Sequence, residues 1–171
     1  MLHIYHGNGK GKTTAVVGLA VRCAGAGGNV LFMQFLKNGT SSEIAILKSI
    51  ENITVLCCEE CSKFTFQMSE DEKKAVIQRH NLMLNTAGEY INSHNECLVI
   101  MDEFLDAYNK NMLDKALGDD ILLALSDKAE IAVTGRSPHD KFIEKADYIS
   151  HITAEKHPYQ NGTAARKGIE Y

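Results

Sequence analysis

The stretch HGNGKGKTT, residues 6–14, decides the fold, because it lies between an apolar strand pattern at 2–5 and the helical pattern AVVGLAV. Glycines in such a loop let successive backbone N–H groups converge on one point, and the helix start adds the positive end of its dipole. In the P-loop pattern G-x-x-x-x-G-K-[ST], Lys12 supplies a mobile charge and Thr13 the hydroxyl that binds Mg²⁺. A glycine turn that only caps a helix is the alternative, which the strand-helix context disfavours.

The loop is a variant, because the first glycine of the pattern falls on His6 and the nearest glycine comes one position later. We expect nucleotide binding by the whole loop, namely by Gly7, Asn8, Gly9, Lys10, Gly11, Lys12, Thr13 and Thr14.

Strand-length apolar runs alternate with helical patterns along the chain. The predicted strands are 2–5, 29–35, 53–57, 96–101, 130–134 and 148–152, and the predicted helices are 12–26, 41–50, 69–93, 115–125 and 138–146. Several strands are almost wholly apolar, as in parallel sheets that are covered on both faces. The helix at 69–93 begins with a capping box, Ser69 to Glu72. The sequence therefore predicts an α/β fold: a single P-loop NTPase (RecA-like) domain over 1–171, with a mostly parallel sheet of about six strands flanked by helices.

The amino-acid composition limits which binding partners and which cellular compartment we expect for the protein. The 171 residues fit one domain, and 18 Lys and Arg against 22 Asp and Glu leave a net charge of -4. This balance argues against binding to nucleic acid or to an anionic membrane, and favours a small-molecule substrate. Because no apolar run is long enough to span a membrane and no signal-peptide pattern opens the chain, we expect a cytoplasmic protein. Five cysteines, an odd number, suit a reducing compartment.

Two carboxylates, Asp102 and Glu103, end the buried run CLVIM at 97–101. In P-loop proteins such residues hold metal beside the phosphates. The pattern favours Asp102 for metal, directly or through water, and Glu103 for water activation or as a further ligand. Because neighbouring strand residues point to opposite faces, only one carboxylate would face the nucleotide unless the strand bends. An acidic pair that opens a solvated loop is the alternative.

Arg136 ends a further apolar strand, in the run Thr134-Gly135-Arg136. Its guanidinium could bind phosphate in fork geometry, although arginines at strand ends are also common surface residues. Ser137 is expected to cap the next helix, with Pro138 in its first turn.

The chain resembles a known family through GNGKGKTT, AVR around Arg22, VLFMQFLK, MDE, TGR, KHPY and ARKGIEY, in this order. It is similar to the ATP:corrinoid adenosyltransferases of the CobA/BtuR (CobO) family over essentially its whole length. The resemblance implies transfer of the 5′-deoxyadenosyl group of ATP to the Co(I) of a reduced corrinoid, with release of triphosphate, in cobalamin biosynthesis or salvage. The corrinoid would be cob(I)alamin or a precursor such as cob(I)yrinic acid a,c-diamide. ATP, Mg²⁺, a homodimer and a flavodoxin-like reductase as electron donor are implied as well.

Residue roles follow from the same resemblance. Lys12, Glu103 and Arg136 are implied as catalytic, Arg22 as a second nucleotide-side arginine, and the tail 153–171 as lying near the site.

Phe64-Thr65-Phe66 corresponds to a Phe-Thr-Trp segment that, in the family, presses on the lower face of the corrinoid and helps to displace its axial base. Phe in place of Trp keeps an apolar wedge without the indole N–H. Two phenylalanines of a core strand are the alternative.

An N-terminal extension is common in the family, whereas this sequence starts two residues before His3. We expect the corrinoid to be covered instead by the loop around Phe64, by a partner subunit or by the tail.

Other signals are weaker. Cys57-Cys58-Glu59-Glu60-Cys61 contains one C-x-x-C, which suggests zinc or a redox pair, but inert strand-end cysteines are the favoured interpretation. Zinc would need further ligands from Cys23, Cys97 or a distant histidine. His80 and His94, on the long helix, are expected to face solvent, and a site role for His157 is left open.

Two rival functions remain. A nucleoside kinase resembling thymidine kinase would produce ADP instead of triphosphate. A non-catalytic, ATP-dependent corrinoid-binding protein would form no cobalt–carbon bond.

Overall fold

The structure is a computed structural model that describes residues 1–170. Tyr171, the last residue of the ARKGIEY motif, lies outside the described residues. The strands are β1 (Leu2–His6), β2 (Val30–Gln34), β3 (Ile53–Cys57), β4 (Leu98–Asp102), β5 (Glu130–Gly135) and β6 (Tyr148–His151). The α-helices are α1 (Lys12–Gly25), α2 (Ser42–Lys48), α3 (Glu70–Ser93), α4 (Phe104–Asn109), α5 (Lys115–Asp119) and α6 (Asp140–Lys145).

The six strands form one sheet in the order β3-β2-β4-β5-β1-β6, and every neighbouring pair is parallel. The carboxyl ends of all six therefore lie at one edge. His6 pairs with Gly135 and Gln34 with Asp102 in register, so the phosphate loop, the acidic pair and Arg136 all leave the sheet at that edge. The predicted α/β fold with a parallel six-stranded sheet is confirmed.

Side-chain alternation along the strands divides the core into two layers. In β2, Leu31 and Met33 pack against the layer that contains α3, whereas Val30 and Phe32 pack against the layer that contains α1 and α2. Burial on both faces explains why the strands read as continuous apolar runs. Among residues 1–170, no helix combines the length and apolarity that a membrane crossing requires.

The start of α3 agrees with the cap predicted from the sequence, whereas the start of α6 does not. The capping box is present: Ser69 Oγ accepts from the Glu72 N–H at 3.2 Å, and Glu72 Oε2 accepts from the Ser69 N–H at 2.8 Å. The prediction that Ser137 caps the next helix is wrong, because α6 begins at Asp140 after His139. Ser137 instead offers its carbonyl to the Asn109 amide at 2.8 Å, which holds the segment in a loop.

Two further segments differ from expectation. The predicted helix at 115–125 ends as α5 at Asp119 and continues as a π-helical turn, Asp120–Ala124, and a 3₁₀ turn, Leu125–Asp127. The six-residue helix α4 was not predicted, because it follows β4 after a single residue and is too short to show a helical period.

Candidate active site

The phosphate loop is held against two neighbouring strand ends. Gly7 and Gly11 have φ values of 117° and 116°, a backbone region that residues other than glycine rarely adopt. A Cβ on Gly7 would collide with the carbonyl oxygen of Ile152, just beyond β6. The Gly7 N–H donates to the carbonyls of Gly135 and Arg136 at 3.2 and 3.1 Å. Glycine is therefore required at position 7 by both conformation and packing.

Lys12 folds back over the loop, and its Nζ donates to the Gly9 carbonyl at 2.8 Å. Burial lowers the pKa of this ammonium, while the nearby Asp106 acts in the opposite direction. The lysine thus lies where phosphate oxygens could replace the carbonyl as its partner.

Asp102 is the centre of a buried polar network and has no exposed surface. Its Oδ1 accepts from the hydroxyls of Thr13 at 2.9 Å and Thr134 at 2.7 Å. Its Oδ2 accepts from Lys37 Nζ at 3.0 Å and from the Gln34 amide at 3.3 Å. The network joins the phosphate loop to the ends of β2, β4 and β5, so the site floor is fixed before any ligand binds.

Glu103 is where the acidic strand bends. Its φ is 61°, in the left-handed region, and its N–H donates to Thr134 Oγ1 at 2.8 Å. The bend lets both neighbouring carboxylates reach the same cation, because Glu103 Oε1 lies 3.2 Å from Lys37 Nζ. Burial raises the pKa of the Glu103 carboxyl, and Lys37 offsets only part of this shift.

Lys37 was missed as a functional residue, although it ends the quoted VLFMQFLK motif. Burial disfavours its charge, but Asp102 and Glu103 outweigh that effect and raise its pKa. A lysine just after a buried strand, at the edge where the acidic strand also ends, was the signal available in the sequence. The two carboxylates at this point of the site are therefore not free, because they share one ammonium.

The three predicted metal ligands surround one position, which the Lys37 ammonium takes. Its Nζ lies within 3.5 Å of oxygens from each of them: Thr13, Asp102 and Glu103. Nearby, the buried Gln34 Oε1 has no hydrogen-bond partner among the described residues. Hydroxyl, carboxylate and amide oxygens are the donors that Mg²⁺ prefers, so the residues present fit this metal.

Two cavities meet at Thr13 and Lys37. The first, of ≈ 580 Å³, is lined by Lys10, Thr14 and the tail residues 168–170. The second, of ≈ 570 Å³, is lined by Lys12, Glu103, Arg136 and the Phe64–Phe66 segment. A ligand with a charged chain and a second, larger ligand could therefore approach one point from two sides.

Phe64 and Phe66 form one wall of the second cavity. Their side chains are 71% and 81% exposed, and their rings stack 5.6 Å apart at 7°. Phe64 directly precedes a 3₁₀ turn, Thr65–Gln67, and Phe66 lies within it, so the alternative of a core strand is wrong. Two stacked rings exposed to water form an apolar surface that has no partner within the described chain.

The remaining predicted residues are placed unequally. Arg136 lines the second cavity, and its backbone N–H donates to Asp106 Oδ2 at 3.0 Å. Arg22 lies in the last turn of α1, about 15 Å along the helix from Lys12. The Arg22 charge interacts favourably with the negative end of the helix dipole, and the structure does not bring Arg22 to the phosphate loop.

The histidines correct one expectation. His80 does not face solvent but is fully buried, with Nδ1 2.7 Å from the Met112 carbonyl. His94 is half-buried and stacks on Tyr90 at 4.0 Å.

Comparison with known proteins identifies the family. The family model described as ATP:corrinoid adenosyltransferase BtuR/CobO/CobP matches residues 1–171. The chain belongs to this family. It is 27% identical to the corrinoid adenosyltransferase of Pseudomonas aeruginosa, over 100% of this chain and 83% of that protein. It is 29% identical to Corrinoid adenosyltransferase CobA of Salmonella typhimurium, over 98% of this chain and 84% of that protein.

A solved structure supports the fold. The ATPase region (ATPases 2 and 3) of EssC from Geobacillus thermodenitrificans aligns with a TM-score of 0.53 at 13% identity, over 99% of this chain and 36% of that one. As an ATP:corrinoid adenosyltransferase, the chain carries out ATP-dependent adenosyl transfer to corrinoids. The phosphate loop and the second cavity are the candidate binding sites for these two substrates.

Proposed function

We propose that the junction of the two cavities is where the Co(I) of a reduced corrinoid attacks the ribose C5′ of ATP. The cobalt electron pair forms the Co–C5′ bond, the C5′–O bond breaks, and its pair leaves with triphosphate. The substrate is cob(I)alamin or a precursor such as cob(I)yrinic acid a,c-diamide. One observation carries the proposal: Thr13 and Lys37 line both cavities, and in the second cavity the phosphate-loop residue Lys12 faces the same space as the exposed aromatic rings.

Leaving-group stabilisation is the main task on the nucleotide side. All three phosphates depart together, so negative charge accumulates along the whole chain during the reaction. The loop amides of 7–14, with Lys12 and Arg136 as cations, are the groups that would hold it. No protein nucleophile is required, since the corrinoid itself supplies the electron pair.

Thr13 and Asp102 would hold Mg²⁺, with Glu103 as a further ligand. The metal, when bound, neutralises phosphate charge and orients the chain. Thr134 and Gln34 keep Asp102 in position through the hydrogen bonds described above. Because the Lys37 ammonium lies among these oxygens, it offsets part of the charge of the two carboxylates in the absence of the metal.

The corrinoid side relies on Phe64 and Phe66. Their exposed rings would press on the lower face of the corrinoid, fill the space of its axial base and exclude water. Loss of the axial ligand makes Co(II) easier to reduce, because it removes electron donation along that axis. Arg22 stays a proposed nucleotide-side residue, and the tail 153–171 a proposed cover of the site.

The enzyme would work as a homodimer in the cytoplasm, with a flavodoxin-like protein as the electron donor. A single sedimenting species of monomer mass at micromolar concentration, with full activity, would contradict the dimer.

The direct test supplies ATP, Mg²⁺ and a chemically reduced corrinoid in parallel reactions with cobalamin and cobyrinic acid a,c-diamide. We expect a light-sensitive adenosylcorrinoid spectrum and triphosphate as the second product, and the ratio of kcat/KM values identifies the preferred corrinoid. ADP as the product would support the kinase alternative. ATP binding without a cobalt–carbon bond would support a binding protein.

A further inference from the structure

A second cluster of reactive side chains lies behind the aromatic segment. Cys58 and Cys61 follow β3, and His80 projects from α3 towards them. All three side chains are buried, and their ligand atoms lie within 4.8 Å of one another. Cys58 Sγ and Cys61 Sγ are 2.9 Å apart, and Cys61 Sγ is 3.9 Å from His80 Nε2. The C-x-x-C pair thus meets the distant histidine that a metal site would need.

His80 is in the tautomer that a metal ligand requires. Its Nδ1 lies 2.7 Å from the Met112 carbonyl, which can only accept, so Nδ1 carries the proton. Nε2 then keeps its lone pair, which is directed to the Leu36 N–H at 3.3 Å and to Cys61. A backbone carbonyl that binds the second ring nitrogen is the usual arrangement around a metal-bound histidine.

The two thiols form a hydrogen bond with each other at 2.9 Å. The hydrogen bond between the Cys58 and Cys61 sulfurs lowers the pKa of Cys61, although burial acts against this shift. The same hydrogen bond, together with burial, raises the pKa of Cys58. A metal ion that binds both sulfurs would displace their protons, because thiolates are the ligands.

We propose that Cys58, Cys61 and His80 bind a structural zinc ion that fastens the loop after β3 to α3. Two thiolates and one imidazole form the donor set that zinc prefers in a tetrahedral site. Glu60 is the candidate for the fourth ligand, because its Oε2 lies 3.8 Å from Cys58 Sγ. Phe64 lies three residues beyond Cys61, so the metal would hold the base of the aromatic segment. The site is independent of the reaction at the phosphate loop.

The chain itself offers a matched control. Cys57 is the neighbouring buried thiol, but it is outside the cluster. Full-length protein, purified anaerobically with zinc and reductant, should contain about one tightly bound zinc per chain, as structural sites do. Cys57→Ser should retain this zinc, whereas Cys58→Ser, Cys61→Ser and His80→Gln should lose it. Chelation should lower the unfolding temperature of the wild type and of Cys57→Ser, and leave that of the other variants unchanged.

A spectroscopic measurement on the wild type does not depend on the folding of the variants. Corrinoid-free protein loaded with Co(II) should show thiolate-to-cobalt charge-transfer absorption and the intense visible bands of a tetrahedral site, which zinc then removes. Absence of these bands, or recovery of a Cys58–Cys61 disulfide without metal under the same anaerobic conditions, would overturn the proposal. Undiminished zinc in a folded Cys61→Ser or His80→Gln protein would overturn it equally.

Discussion

The floor of the active site and its aromatic wall are built in opposite ways. Asp102 has no exposed surface and is bound by four side chains, whereas Phe64 and Phe66 are mostly exposed and contact each other. Charged groups must be oriented before the ligand arrives, because reorganising dipoles during the reaction costs free energy. An apolar surface needs no such orientation and gains its free energy only when a large partner covers it. The floor is thus pre-organised, whereas the aromatic wall contributes free energy only when a large ligand covers it.

The largest effect is expected at the floor, from Lys12→Ala. The substitution removes a cation from the phosphate loop and should lower kcat on the order of 10²-fold or more, as loss of a transition-state donor does. Steady-state kinetics with pre-reduced corrinoid measure this effect. Lys128→Ala, an exposed lysine that contacts Asn92, serves as the control with unchanged kinetics. A folded Lys12→Ala enzyme with wild-type kinetics would remove the loop from the proposed mechanism.

Lys37→Met tests whether the stability of the floor depends on the cation between its two carboxylates. The change leaves Asp102 buried without its cation and should lower the free energy of unfolding by about 2 kcal/mol, reduced from the fully buried case by the partial exposure of Lys37. Urea denaturation measures the loss. Lys63→Met breaks an exposed pair with Glu72 and should cost much less, because solvent screens the pair. Equal losses in the two variants would show that the buried cluster has no special weight.

Truncation of the wall should separate binding from stability. In Phe64→Ala/Phe66→Ala, turnover from cob(II)alamin should fall about tenfold, which corresponds to the interaction free energy of one aromatic pair. The free energy of unfolding should change by less than about 0.5 kcal/mol. ATP affinity should stay the same. Turnover from chemically prepared cob(I)alamin should largely survive, because that form has no lower ligand to displace. Loss of ATP binding or of folding in this variant would contradict the wedge.

The smallest effect concerns the pH dependence of Glu103. Burial raises the pKa of this carboxyl in the folded chain, so the folded state holds the proton to higher pH than the unfolded state. The contribution of Glu103 to wild-type stability should therefore decline as pH rises from the unfolded pKa of about 4.3 through the higher folded pKa. Glu103→Gln should lack this decline and gain less than about 1 kcal/mol at pH 7, because solvent screens a partly exposed group. Denaturation curves from pH 4 to pH 8 test this against exposed Glu59→Gln; parallel profiles would refute it.

Much of the framework could be predicted from local pattern. The strand-loop-helix unit, the buried strands and the capping box at Ser69 all depend on neighbouring residues, and each is present in the structure. Helix α4 and the start of α6 could not be predicted in this way. Asn109, at the end of α4, contacts Ser137 across the fold, so no local pattern records the interaction that keeps Ser137 out of the helix.

The candidate site divides along the same line. The order of residues along the chain was enough to determine that a phosphate loop, two carboxylates and an arginine leave parallel strands at one edge, because continuous apolar strand runs and loop chemistry are local properties. Tertiary structure alone decided that Lys37 lies between Asp102 and Glu103, that the strand bends at Glu103, and that His80 meets Cys58 and Cys61. These contacts join residues 19 to 66 positions apart in the sequence. Long-range packing brings them together, and a local sequence pattern carries no information about it.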